Sequence, residues 1–208
     1  MLAAVSRLTP RLGSFSEALG AYRAARLQTC LSKLHGIESV SATTLRARTS
    51  LRLGDPDAAL HALANLASDQ IADCRDRGEL ALLRSVAHYR LRDTEASREA
   101  ILDAHVYSIS AADSALEAEV SFYGALTALG DEDLDGARDA CQRGLDIASE
   151  PWTFTATKGY IPLDHIVSRT EELLGVIDAA QGRYRASLAH ARSALAMHDR
   201  CAISDTYI

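Results

Sequence analysis

Aromatic residues are scarce in this chain, at 5% of 208 residues with a single Trp, and proline occurs only 4 times. With 12 Gly, 48% hydrophobic and 24% charged residues, the composition excludes collagen-like repetition and intrinsic disorder. Lysine is almost missing, since Lys33 and Lys158 are the only two among 22 basic residues; the bias is one of composition and carries little functional information. No apolar run approaches the ~20 residues of a membrane span. Met1-Leu-Ala-Ala-Val-Ser-Arg7 is too short an apolar stretch for a signal peptide. No membrane partner is expected, and the cytoplasm is the expected compartment. Cys30, Cys74, Cys141 and Cys201 form no C-x-x-C pair. They read as free thiols in a reducing compartment, although four cysteines allow three disulfide connectivities.

What the chain has in excess is 37 Ala and 28 Leu, the residues best suited to helices, while β-branched residues are few. The expected fold is therefore all-α. The net charge of −6 is unevenly spread: Met1 to Leu53 carry a local +6 and the remainder −12. Such asymmetry suits a basic face, yet arginines at helical spacing more often form a solvated face, so no direct nucleic-acid partner is expected.

A repeat emerges from the turns. Gly13-Ser-Phe15-Ser-Glu-Ala18-Leu-Gly-Ala-Tyr22-Arg-Ala-Ala25 has the form G-x-aromatic-x-x-A-x-x-x-aromatic-x-x-A, and Gly182-Arg-Tyr184-Arg-Ala-Ser187-Leu-Ala-His-Ala191-Arg-Ser-Ala194 repeats it. Weaker copies begin at Gly54, Arg92 and Leu134. Taking Ala18, Ala59, Ser97, Ala137 and Ser187 as equivalent points, the pattern returns about every 40 residues, the last interval being about 50. A small residue at each point lets the second helix of a hairpin approach the first closely. Helix-start signals agree: Ser14 with Glu17 forms a capping box, and Asp55-Pro56 offers an N-cap with proline in the first turn. Gly36 and Gly78 read as C-terminal stops. Upstream of each second helix lies another one-sided stretch, such as Leu80, Leu83, Ala87 and Leu91, or Leu173, Leu174, Ile177 and Ala180.

These features resemble the tetratricopeptide-repeat (TPR-like) superfamily, whose units are antiparallel helix pairs stacked into a right-handed superhelix. The last unit carries the likeness best, with Glu171-Glu-Leu-Leu174-Gly175 leading into Gly182, Tyr184 and Ala194. The period exceeds the family's usual length, its signature Trp is absent, and prolines do not close the units. The long period is similar to the helical-repeat regions of bacterial signal-dependent transcription activators. The resemblance implies an α-solenoid of about five antiparallel helix hairpins spanning 1–208 as a single domain. The tail Ala202-Ile-Ser-Asp-Thr-Tyr207-Ile208 resembles the start of another first helix, so the expectation is a piece of a longer protein with effector domains beyond it.

Residues 149–162 form an insertion holding Trp152, Phe154 and Tyr160 with two of the four prolines, and are read as a lid or ligand-contact loop; the plain alternative is that the rings cover the seam between units. First helices line the groove of such arrays, which makes Arg48, Arg52, Tyr89, Arg90, Phe122 and Arg169 the candidate partner-binding residues. Arginine and aromatic rings together suit an acidic or aromatic peptide. Gly36 to Arg48 superficially suggests a recognition helix beginning with Ser and Thr, but its position at the repeat interval argues against it, since DNA reading needs a compact three-helix unit. The seven His are scattered, with no H-E-x-x-H, no Cys/His ligand spacing and no nucleophile motif; no enzyme activity, cofactor or metal is expected. The expected function is a protein-interaction scaffold, the regulatory or partner-binding segment of a bacterial signalling or transcription-control protein. Its partner would be a protein, a peptide or another domain of the same polypeptide. The rivals are a small-molecule or peptide sensory domain, and a self-assembling module that forms homo-oligomers through uncapped ends.

Overall fold

A computed structural model describes residues 15–64, 66, 71–149 and 163–201. The described residues are helical throughout, joined by short turns: α1 (15–23), α2 (Leu27–Leu34), α3 (Val40–Arg52), α4 (Pro56–Ala64), α5 (Cys74–Arg90), α6 (Thr94–Ala111), α7 (Ser114–Gly130), α8 (Leu134–Ser149), α9 (Leu163–Ala180) and α10 (Tyr184–Cys201). The chain divides into two compact units, one within Met1–Ile71 and one within Ala72–Tyr207. In the first, α3 pairs with α4 and α2 packs on α3. The second contains three hairpins, α5/α6, α7/α8 and α9/α10, and its first helices α5, α7 and α9 pack successively side by side.

The hairpin turns share one construction. At the end of α3 the Asp55 N–H donates to Ser50 O at 2.9 Å and the Gly54 N–H to Leu51 O at 3.0 Å, the paired bonds of a Schellman stop that satisfy the helix's last carbonyls. The same bonds run from Asp93 to His88 O at 3.0 Å, from Asp133 to Ala128 O at 3.0 Å and from Arg183 to Asp178 O at 2.8 Å. The aspartate that closes one helix opens the next: Asp55, Asp93 and Asp133 accept at Oδ1 from the N–H groups of Ala58, Ala96 and Gly136 at 2.9, 3.2 and 2.9 Å. The expected Asp55 cap is therefore present, with Pro56 as the first residue of α4. The capping box at Ser14 lies outside the described residues.

The repeat positions do what their size suggests. Ala18, Ala59, Ser97 and Ala137 are each 0% exposed, and the helices they carry pack on their neighbours there. Ser97 also bonds across the seam, its Oγ donating to Ser85 O at 3.1 Å and lying 3.3 Å from Thr127 Oγ1. In the last hairpin a Cβ on Gly175 would lie 3.4 Å from Ser187 O and 3.8 Å from Ala191 N, so the Leu174-Gly175 pair marks a close approach of α9 to α10.

One local expectation is corrected. Gly36 does follow a helix end with φ 73°, but Gly78 sits inside α5. Its missing side chain serves packing: a Cβ would meet Leu116 Cδ2 at 3.0 Å and Tyr107 Cβ at 3.2 Å. A further local feature is that Ala25 takes a left-handed φ of 55° and separates α1 from the short α2. Inter-helix ion pairs then tie the hairpins together. Arg98 of α6 pairs with Asp131 at the end of α7, and Arg138 of α8 with Asp178 of α9. Asp178 is 0% exposed and also takes a bond from Arg183 Nε at 3.0 Å. Its Oδ2 has no hydrogen bond; His190 Nε2 stands 3.6 Å away, too far to supply one.

Candidate partner-binding face

The six candidate residues fall in both units. In the first unit, Arg48 is buried, at 6% exposure, and Arg52 is held in place by Tyr22: its guanidinium lies 4.7 Å from the ring centroid and Nη1 donates to Tyr22 O at 3.1 Å. Both arginines therefore serve packing around α3. Charge reversal there would disrupt the fold before it tested any surface contact. The spacing explains the burial, because Arg48 stands three residues after Leu45 and three before Leu51 on the apolar side of α3.

In the second unit the structure brings Tyr89 and Arg90 of α5, Phe122 of α7 and Arg169 of α9 onto three helices that pack in sequence. Tyr89 is half-buried, its ring covering the end of α7 where a Cβ on Gly130 would be 3.7 Å from Tyr89 Cε2. Phe122 packs against two core clusters, one built around Leu163 and Ile166, the other around Leu173, Leu174 and Ile177. Its ring meets that of Tyr123 edge to face, with centroids 5.1 Å apart. Arg169 is half-buried and pairs with Glu172 at 3.1 Å, and Arg90 is exposed.

A stripe on α5 was missed in the sequence. Arg77, Arg84 and His88 recur at i, i+7 and i+11 and so share one face of the helix; all three are half-buried. Arg77 lies 5.8 Å from the Tyr107 ring centroid, close enough for a cation–π contact. On the same helix Arg75 binds Asp113 at 2.6 Å, and Arg75 Nη1 lies 3.7 Å from Glu79, which is 4% exposed. Burial works against the Arg75 charge, but the Asp113 hydrogen bond and the neighbouring carboxylates outweigh it and raise the guanidinium above its usual value. Arg75 is therefore used inside the fold; of the stripe, Arg77 rests on Tyr107 of α6 and His88 Nδ1 lies 3.3 Å from Asp93.

The first unit contains a different feature, a cleft of about 1320 Å³ between α2, α3 and α4. Leu31, Val40 and Ala62 give it an apolar wall, and Glu38, Asp55 and Asp57 an acidic rim. Trp152, Phe154 and Tyr160 lie outside the described residues. Among the described residues no group of three or more His, Cys, Asp or Glu is placed to hold a metal ion, and no helix is long and apolar enough to cross a membrane. Cys30, Cys74 and Cys141 are free thiols.

No family model matches the chain, and no curated protein matches it in sequence. Two solved structures do resemble it. The apo form of RapI superimposes with a TM-score of 0.69 at 11% identity, covering 92% of this chain and 71% of that one. MamA MSR-1 C2 gives a TM-score of 0.53 at 12% identity, covering 92% of this chain and 98% of that one. The fold is TPR-like. At these identities the likeness reaches the fold and no further.

Proposed function

We propose that the chain is a protein-interaction scaffold whose α5–α7–α9 face takes an acidic peptide segment of a partner protein or of another domain of its own polypeptide. What supports the reading is that α5, which packs beside α7, carries Arg77, Arg84 and His88 as one half-exposed stripe with exposed Arg90 on the same helix, Arg77 resting also on Tyr107 of α6 and His88 on Asp93. Arginine forks suit carboxylates at this spacing, and half-covered guanidinium groups have less conformational freedom to lose on binding. Tyr89, Arg90 and Arg169 extend the contact along the neighbouring helices. The binding is non-catalytic, and its biological setting is the regulatory segment of a bacterial signalling or transcription-control protein. A second reading, a sensory domain, draws on the cleft of the first unit, which at about 1320 Å³ is roomier than a typical small-molecule pocket and carries Glu38, Asp55 and Asp57 beside Arg46, His35 and His61.

Peptides selected from a random display library on the full chain test this. Fluorescence anisotropy should show that the selected peptides are acidic and that Arg84→Glu/Arg169→Glu weakens them about 10–100-fold, as loss of a charge-assisted bond worth about 1.5–3 kcal/mol implies. Peptides without acidic character, or equal affinity for the variant, would overturn the assignment of this face.

A further inference from the structure

Two helices of the second unit carry exposed apolar stripes that their own hairpins leave uncovered. On α6 the stripe is Leu102, Val106 and Ile109, at 61, 60 and 54% exposure. On α10 it is Tyr184, Leu188 and Leu195, at 73, 52 and 62%. In each helix the residues follow i, i+4, i+7 or i+11 spacing and form one continuous ridge. Rows of apolar side chains this exposed are a mark of interaction surfaces.

The charges beside the ridges differ in sign. Glu99 and Asp103, both exposed, flank the α6 ridge, whereas Arg185 and Arg192, both exposed, flank that of α10. Arg98, on the other side of the α6 ridge, is neutralised by Asp131. We infer that a second copy of this chain docks on these ridges, the α10 face of one molecule packing on the α6 face of the next. Like charges oppose the two symmetric alternatives: α6 against α6 would bring carboxylates together, and α10 against α10 would bring arginines together. Only the mixed contact pairs acid with base. Both helices are 18 residues long, and the α6 ridge, from Leu102 to Ile109, fits within the longer α10 ridge, from Tyr184 to Leu195.

The charged flanks also fix the relative direction. In both helices they lie about a quarter turn from the ridge in the same rotational sense, given roughly 100° per residue. Across an interface two such flanks meet only when the helices run antiparallel. Because the two contacting faces are different, the contact is heterologous and repeats from copy to copy, giving open assemblies larger than a dimer unless the ring closes.

Charge exchange tests the proposal on the 208-residue chain, with light scattering at low ionic strength, where surface charges act over more than ~10 Å. Wild type should gain mass with concentration and lose it at high salt. Glu99→Arg/Asp103→Arg and Arg185→Glu/Arg192→Glu should each remain monomeric with unchanged helical circular dichroism. Mixed in equal amounts, the two variants should associate again, since each then offers the face the other lacks. Leu188→Asp/Leu195→Asp should abolish association with the charges intact. A wild type that stays monomeric throughout, association that persists in both charge-reversed variants, or a mixture that fails to associate would each overturn it. The binding face proposed on α5 is untouched by these changes, so peptide affinity should survive in every variant.

Discussion

Arg92 and Glu132 hold left-handed backbone, with φ 65° and 62°, at the turn position that Gly54 and Gly182 occupy with φ 80° and 74°. All four residues donate the same turn bond, and the side chains of Arg92 and Glu132 are exposed. A side chain in this conformation costs roughly 1–2 kcal/mol, and glycine gives back about 0.5–1 kcal/mol through the greater freedom of its unfolded chain. Arg92→Gly and Glu132→Gly should therefore each stabilise by about 0.5–1 kcal/mol. The two turns are neighbours, with Tyr89 against Gly130 and Arg98 paired with Asp131, so the double variant measures their coupling, and a total of about 1–2 kcal/mol is the additive reference. For a chain of this size that corresponds to a rise in Tm of about 4 °C. Urea titration followed by circular dichroism, at constant m-value, measures the effect. The converse substitutions, Gly54→Ala and Gly182→Ala, should lose about 1 kcal/mol each. If the Arg92→Gly/Glu132→Gly protein unfolds at lower urea while Gly54→Ala costs nothing, the shared turn construction is refuted.

Asp178→Ala leaves Arg138 and Arg183 without their buried partner; both arginines can turn to solvent, so the loss should be about 2 kcal/mol rather than the larger cost of a fully enclosed pair, measurable by the same titration. Gly78→Val should destabilise by about 2–3 kcal/mol, because Leu116 and Tyr107 already fill the space beside it, and a neutral result would mean that α5 can withdraw from α6 and α7. Burial pushes the Cys141 thiol up to about 12 from 9.0, so its thiolate fraction at neutral pH falls about 1000-fold. Half-buried Cys74 should accordingly react with a maleimide in the native chain, and Cys141 only after unfolding; equal native rates, read by mass spectrometry, would contradict the burial.

The hairpins were legible in the sequence because glycine, Asp-Pro and small residues have few other reasons to recur at such intervals. Ala59, Ser97 and Ala137 mark the packed seams, and Asp55, Asp93 and Asp133 mark the helix starts. The break at Ala25 left no trace, since alanine carries no turn signal and only tertiary context imposes its left-handed φ. Gly78 misled because a glycine between polar residues reads alike as a stop and as a close approach. Arg48 was placed on a surface although its spacing from Leu45 and Leu51 already put it on the core side; a charged residue at a core position should have been read as buried and partnered. The stripe of α5 follows i, i+7 and i+11 spacing, which helical periodicity alone does not tell apart from a solvated polar face, and Tyr89 and Arg90 lie off it. The link between Arg138 and Asp178 spans 40 positions in the chain, and no local pattern reveals such a pair.

The face formed by α5, α7 and α9 is best tested by hydrogen–deuterium exchange of the full chain with and without a selected acidic peptide. Exchange is expected to slow in Cys74–Arg90, Ser114–Gly130 and Leu163–Ala180, and the slowing should vanish in Arg84→Glu/Arg169→Glu. Protection confined to α2, α3 and α4, around the cleft of the first unit, would contradict the scaffold reading and favour a ligand-sensing one.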